Sequence, residues 1–239
     1  MVYNISTQKE SLKGTFNDLM KSSPIEVENG ESYLFYYSFD QMFSKETWNY
    51  YMSFLPERFH HEILRFRRWQ DRQNSLLGKL MVYLGIRMFD NGYFNFDSYH
   101  RDNFGKPHIK NSDLNFNISH SGNMVVCIFS NEEIGVDIEE VQGIEYSIFE
   151  NVFSDLEMCA IKESGINKFY EYWTRKESII KAIGKGMSIP LLDIKINEGN
   201  YNTYFNEIWY TKSNQLTNIH CSVASKSESN MVKPIELKF

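Results

Sequence analysis

Two acids in the second half of the chain are spaced as the side chains of a metal site would be. Asp137 and Glu139 alternate with Val136 and Ile138, the pattern of a strand with two carboxylates on one face and two apolar side chains on the other. Adjacent carboxylates repel each other unless a cation lies between them. Since no His or Cys adjoins them, the pattern favours a hard cation that prefers oxygen ligands, such as magnesium.

A third acid, Glu177, lies in a segment predicted to be helical, and Lys181 follows it on the same side of that helix. A lysine beside a magnesium site indicates a substrate that carries phosphate. The alternative is that Glu177 and Lys181 form only a surface ion pair, which is worth about 0.3–0.5 kcal/mol on a helix.

The elements that must position these residues follow from the hydrophobic pattern. It predicts strands over 33–39, 115–118, 125–130, 135–139, 194–196, 208–210, 219–223 and 235–237, and helices over 44–55, 57–69, 71–88, 154–164 and 168–183. Strands and helices are mixed in similar measure in both parts of the chain. We therefore predict an α+β protein with an extension of unassigned structure over 1–30, an N-terminal half over 31–132 and a C-terminal half over 133–239. The C-terminal half carries the acids, and we expect the site in the cleft between the two halves.

The composition describes a globular protein of 239 residues, 42% of them hydrophobic. The longest apolar run, 124–129, is far shorter than the roughly 20 residues of a membrane helix, and the N-terminus lacks the order of a signal peptide. We therefore expect a cytoplasmic protein with no membrane partner. Cys127, Cys159 and Cys221 are widely spaced, so neither a disulfide framework nor a zinc site is indicated.

The net charge of −6 argues against nonspecific binding to nucleic acid. Within this acidic chain, residues 58–72 form a local basic cluster. The cluster is either the solvated face of a helix or a binding surface for a small polyanion.

Four motifs resemble those of the 4′-phosphopantetheinyl transferases, in particular the pseudo-dimeric type that activates surfactin synthetase. In chain order they are Phe104-Gly-Lys-Pro107, Phe116-Asn-Ile-Ser-His-Ser-Gly122, Ile134-Gly-Val-Asp-Ile-Glu139 and Trp173-Thr-Arg-Lys-Glu-Ser178, the last followed by Lys181 and Gly184-Lys-Gly186. Upstream, Leu55-Pro-Glu-Arg58 and Ser75-Leu-Leu-Gly78 also match. The resemblance implies two similar halves related by a pseudo-two-fold axis, and two halves in one chain suffice to build the cleft in a monomer.

The resemblance implies a magnesium-dependent enzyme, with manganese as a substitute metal. It would move the 4′-phosphopantetheine group of coenzyme A to a serine of an acyl or peptidyl carrier protein and release adenosine 3′,5′-bisphosphate. Such a modification serves pathways that include secondary metabolite biosynthesis. A noncatalytic coenzyme A binding protein and a metal-dependent phosphohydrolase are the alternatives, although a mere binder has no need of the acids and the lysine.

The resemblance also assigns roles to residues. Asp137, Glu139 and Glu177 would bind the metal, Glu177 would act as or direct the base that deprotonates the carrier serine, and Lys181 would contact the pyrophosphate. The residues expected to contact coenzyme A are Arg58, His61, Arg72, Asn74, Phe104, Gly105, Lys106, Pro107, Ser119, His120, Ser121, Asp137 and Lys181.

One position departs from the family pattern. The family usually has an arginine immediately before the Ser/Thr-Leu-Leu-Gly stretch, where this chain has Asn74. Arg72 or Arg65 would have to replace that arginine at the 3′-phosphate of coenzyme A. We therefore predict weaker discrimination between coenzyme A and its 3′-dephospho form than in a family member that has the arginine.

Overall fold

The structure, a computed structural model, describes residues 12–90, 96–149, 151–197, 199–216 and 218–239. Its strands are β1 (Leu12–Thr15), β2 (Glu31–Ser38), β3 (Tyr99–Arg101), β4 (Pro107–Ile109), β5 (Asn115–Ser121), β6 (Met124–Ser130), β7 (Ile134–Glu140), β8 (Ile194–Ile196), β9 (Tyr201–Tyr204), β10 (Glu207–Leu216), β11 (Ile219–Ser225) and β12 (Met231–Lys238). Its helices are α1 (Phe16–Leu19), α2 (Lys45–Met52), α3 (Glu57–Leu64), α4 (Trp69–Phe89), α5 (Asp155–Ser164) and α6 (Ile166–Ile183). This mixture confirms the predicted α+β class.

Two five-stranded sheets form the framework of the described residues. The first has the order β1-β12-β2-β6-β5 and the second the order β7-β11-β10-β9-β8. The chain passes from one sheet to the other between β6 and β7, next to the division predicted after residue 132. However, β1 from the predicted extension and β12 from the predicted C-terminal half both pair in the first sheet, where β12 runs parallel to β1 and to β2. Residues 1–11 of the extension lie outside the described residues.

Each sheet is covered by one long helix. Helix α4 buries most of its length against the first sheet, where a Cβ at Gly85 would lie 2.1 Å from the ring of Phe129. Helix α6 packs on the second sheet in the same close manner, because a Cβ at Gly135 of β7 would lie 2.1 Å from the Ser178 carbonyl oxygen. A glycine at position 135 therefore lets β7 approach α6 at the level of the acids that follow it.

The predicted helix over 57–69 was wrong at its C-terminal end. Helix α3 ends at Leu64, and α4 begins at Trp69 after Arg68 adopts an extended conformation with φ −79° and ψ 140°. Apolar spacing continues through Phe66, so the period alone concealed the turn. The helix predicted over 44–55 begins as expected, because the Ser44 hydroxyl caps α2 by accepting a hydrogen bond from Thr47 N, but it ends earlier, at Met52. The short elements β1, α1, β3, β4 and β9 were not predicted.

In the described part of the chain, no helix has the length and apolar character needed to cross a membrane.

Candidate active site

A cavity of about 370 Å³ brings the predicted acids and lysine together. It is lined by residues of β5, β7 and α6, namely Ile118, Ser119, His120, Asp137, Glu139, Trp173, Glu177 and Lys181. Asp137 and Glu139 share one face of β7 because they are two residues apart. Trp173, Glu177 and Lys181 share one side of α6 because they follow at steps of four. The cavity therefore lies where the first sheet meets the second.

Asp137 is the most buried of the three acids, with 3% of its surface exposed. Its Oδ1 accepts hydrogen bonds from Lys181 Nζ at 2.6 Å and from Ser119 Oγ at 3.1 Å. Its Oδ2 is also buried, and among the described residues it has no hydrogen-bond partner. Burial raises the pKa of Asp137 although the charge of Lys181 lowers it. A buried carboxylate oxygen without a donor is a position that a cation would satisfy.

Glu139 and Glu177 experience the same effects as Asp137. Burial raises the pKa of both carboxyls, and the negative charge of Asp137 raises each further. Trp173 offsets part of this at Glu139 as a hydrogen-bond partner that lowers its pKa. All three carboxyls therefore lie where their negative charges are poorly solvated, and a divalent cation would relieve that cost.

These acids suit a hard divalent cation chemically, but they are not arranged as a complete coordination shell. Among the described residues, no group of three or more His, Cys, Asp or Glu side chains is gathered closely enough to hold a metal as it stands. Lys181 Nζ contacts Asp137 Oδ1, so Oδ2 is the oxygen of this carboxylate that a metal could take. The donor set and the partnerless Oδ2 of Asp137 nevertheless fit magnesium or manganese.

Strand β5 contacts the edge of β7 through three alternate side chains, which we call the side-chain ladder. Asn117 Oδ1 accepts a hydrogen bond from Val136 N at 3.0 Å, Ser119 Oγ from Ile138 N at 3.3 Å and Ser121 Oγ from Glu140 N at 3.0 Å. Strand β7 lies at the edge of its sheet, and these side chains accept from N–H groups that have no backbone partner on that side in the described structure. The ladder therefore fixes the first sheet against the acids of the second.

A second cavity, of about 260 Å³, adjoins the first and shares Ile118 and His120 with it. Its walls include three basic residues, Arg65, Lys79 and Arg101, together with Asn74, Pro107 and the acid Glu62. Lys79 Nζ lies 3.4 Å from Glu62 Oε2, and burial lowers the pKa of this lysine. Partial desolvation lowers the pKa of His120, and the charge of Lys181 lowers it further.

Seven of the thirteen predicted coenzyme A contacts line neither cavity in the described structure, and three of these come from the basic cluster over 58–72. Arg58 Nη2 donates to the Phe96 carbonyl, His61 is exposed, and Arg72 Nε donates to the Phe66 carbonyl at 2.7 Å. None of the three is among the residues that line the cavities in the described structure. That these three residues bind coenzyme A stays a prediction, and the basic side chains that line the second cavity are Arg65, Lys79 and Arg101. Of these three, Lys79 and Arg101 had no sequence signal beyond their charge.

The motif over 104–107 lies at the junction of the two sheets. Phe104 is 56% exposed, Gly105 has a φ of +87° that favours glycine, and Pro107 reaches the second cavity. Lys106 Nζ donates to the Ala182 carbonyl at 2.5 Å, in the last turn of α6. The side chain of Lys106 therefore contacts the helix that carries Glu177 and Lys181.

Asn74 is buried, with 2% of its surface exposed. Its Nδ2 donates to the Gly122 carbonyl at 3.1 Å, whereas its Oδ1 has no hydrogen-bond partner among the described residues. The amide thus contacts the turn after β5 and leaves the second cavity without a charge at this position.

Comparisons with known proteins agree with these features. A family model described as "4′-phosphopantetheinyl transferase, N-terminal" matches residues 42–132, and one described as "4′-phosphopantetheinyl transferase superfamily" matches residues 133–228. The chain is 34% identical over 165 residues to the 4′-phosphopantetheinyl transferase gsp of Aneurinibacillus migulanus, covering 66% of this chain and 68% of that protein. It is 35% identical over 160 residues to the 4′-phosphopantetheinyl transferase Sfp of Bacillus subtilis (strain 168), covering 64% of this chain and 70% of that protein.

Proposed function

The chain belongs to the 4′-phosphopantetheinyl transferase superfamily, and from this we propose that it transfers the 4′-phosphopantetheine group of coenzyme A to a serine of an acyl or peptidyl carrier protein. The observation that supports the proposal most directly is the meeting of Asp137, Glu139, Glu177 and Lys181 in one cavity. Ser119 and His120 of the adjoining motif line the same cavity. The alternative of a surface ion pair between Glu177 and Lys181 does not account for this grouping.

In the proposed reaction the serine oxygen of the carrier forms a bond to the phosphorus that bears the pantetheine arm. The bond from that phosphorus to the bridging oxygen of the pyrophosphate breaks, and adenosine 3′,5′-bisphosphate leaves. Glu177 accepts the serine proton, directly or through a water. Its carboxylate lines the cavity beside Lys181, so it is placed to meet a serine hydroxyl that enters there.

Lys181 is placed to stabilise the charge on the pyrophosphate. Its side chain is 28% exposed, so the ammonium can contact a bound anion while it remains 2.6 Å from Asp137 Oδ1. Asp137, Glu139 and Glu177 would hold magnesium or manganese, which when bound neutralises the developing charge on the phosphate oxygens. The ion pair with Asp137 keeps the Lys181 ammonium oriented toward the cavity.

The second cavity would take the nucleotide end of coenzyme A. Arg65, Lys79 and Arg101 outnumber Glu62 there, so the charged groups of its lining have a net positive charge that suits a phosphate. The two cavities share His120, which would then lie between the nucleotide and the pyrophosphate.

Intact-mass measurement of an apo carrier protein, incubated with coenzyme A and magnesium, tests the proposal. The wild-type chain should add the mass of phosphopantetheine to the carrier, and Glu177→Gln should abolish the gain. Glu171→Gln is the matched control, because Glu171 lies on α6 but lines neither of the two cavities. Binding of coenzyme A without a mass gain would support a noncatalytic binder instead, and release of phosphate without transfer would support a hydrolase.

A further inference from the structure

We propose that Ser121 is a positioning residue that orients Glu139 for the metal, and that it is not a coenzyme A contact. The inference rests on the proposed function, since it concerns the metal site of that reaction. Ser121 Oγ donates a hydrogen bond to Glu139 Oε2 at 2.9 Å and accepts one from Glu140 N at 3.0 Å. A serine hydroxyl has one hydrogen to donate, and here it is directed to the carboxylate.

The three rungs of the side-chain ladder differ in a way that supports this role. At the first rung, the Asn117 amide oxygen accepts a hydrogen bond from Val136 N and contacts no carboxylate. A group that only accepts is therefore sufficient at this rung. At the rungs of Ser119 and Ser121, the same side chain also donates to an acid of β7. A hydroxyl can accept from the backbone and donate to the carboxylate through one atom, and among small neutral side chains only a thiol can do the same, more weakly.

The two serines nevertheless have different surroundings. Ser119 lines the candidate active site, and its Oγ also accepts from Lys181 Nζ at 2.8 Å. Ser121 does not line that cavity, although Glu139 does. A substrate in the cavity can therefore meet Ser119 directly but meets Ser121 only through Glu139.

Glu139 needs such a partner because of its neighbours. It is half-buried on the same face of β7 as Asp137, so repulsion between the two charges favours rotation of the longer Glu139 side chain away from Asp137. The hydrogen bond from Ser121 opposes that rotation by fixing Oε2. A partner that orients a metal-binding carboxylate typically changes metal affinity about 10- to 100-fold when it is removed.

The test is the affinity of the purified chain for Mn²⁺, measured by isothermal titration calorimetry without coenzyme A. Ser121→Ala should weaken Mn²⁺ binding by at least about 10-fold, and Ser121→Thr, which keeps the hydroxyl, should restore it. Asn117→Ala is the matched control, because it removes a rung of the ladder without touching an acid. It should lower the melting temperature as Ser121→Ala does, yet keep the wild-type affinity for Mn²⁺. Ser121→Cys, which keeps the size and a weak donor, gives an intermediate affinity and replaces the alanine variant if that variant does not fold.

The outcomes separate the inference from the proposed function. If the wild-type chain binds no Mn²⁺, the proposed metal site fails and the inference fails with it. If the wild-type chain binds Mn²⁺ and Ser121→Ala binds it equally well, the inference alone is overturned. Equal weakening by Asn117→Ala and Ser121→Ala would also overturn it, because the ladder would then act only by holding the fold. Finally, Ser121→Ala should have no further effect on affinity in a Glu139→Ala background.

Discussion

Breaking the buried ion pair between Lys176 and Glu157 should cost more stability than breaking the more exposed pair of Lys168 and Glu171 on the same helix. The Lys176 side chain is 0% exposed and that of Glu157 5% exposed, with Nζ 2.8 Å from Oε2. Lys176 Nζ also donates to the Val152 and Leu191 carbonyls. Lys176→Met would leave the carboxylate buried without its counter-charge and these two carbonyls without their donor.

Removing one partner of a buried ion pair costs about 3–5 kcal/mol of unfolding free energy. At about 2–4 °C per kcal/mol for a protein of this size, the melting temperature should fall by roughly 6–20 °C. Differential scanning calorimetry measures the fall, and denaturant unfolding measures the free energy.

Lys168→Met is the matched control on the same helix. Lys168 pairs with Glu171 at 2.7 Å, but both side chains are 30% exposed, so its loss should cost less than about 1 kcal/mol. A loss below about 1 kcal/mol for Lys176→Met would refute the reasoning.

Three further predictions follow from described contacts. Gly135→Ala places a Cβ 2.1 Å from the Ser178 carbonyl oxygen, so β7 must move away from α6. Both the melting temperature and the rate of phosphopantetheine transfer should fall, and unchanged values would contradict this prediction. Burial raises the pKa of Tyr51 to about 12, above its ordinary 10.0, so the folded chain keeps a proton that the unfolded chain loses. The resulting stability, about 2–3 kcal/mol, is complete below pH 10.0 and disappears as the pH rises to about 12. Denaturant unfolding of Tyr51→Phe should show a smaller loss of stability than the wild-type chain between these pH values. An equal loss would contradict the assignment of the effect to Tyr51. Lys79→Met should reduce the kcat/KM preference for coenzyme A over its 3′-dephospho form by about 10-fold or more, whereas an unchanged ratio would place the 3′-phosphate elsewhere.

The candidate active site could be anticipated from sequence because its signals are local. Alternation of Asp137 and Glu139 with apolar residues predicts the strand, and the four-residue step from Glu177 to Lys181 predicts their common side of a helix. The structure brings all four side chains to one cavity.

The lining of the second cavity was harder to predict because its residues meet only through tertiary contacts. The roles of Arg58 and Arg72 at coenzyme A, expected from their charge and their place in the motif, stay predictions; in the structure both guanidinium groups donate to backbone carbonyls. Arg101 comes from β3 and Lys79 from α4, and no sequence spacing relates those two elements. The role inferred for Ser121 was equally hidden, since it depends on the register between β5 and β7.

The position of β12 has a consequence for how the chain folds. Asn230 Nδ2 donates to Ser32 Oγ, a hydrogen bond between residues 198 positions apart. During synthesis, β2 therefore exposes an unpaired edge until the residues of β12 have emerged, long after the rest of the first sheet is available. Pairing over such a separation is slow, and an open edge that includes the apolar Leu34 and Phe35 can pair with another chain. Truncation before Met231 should therefore cause aggregation during expression, even though it leaves every residue of the candidate active site in place.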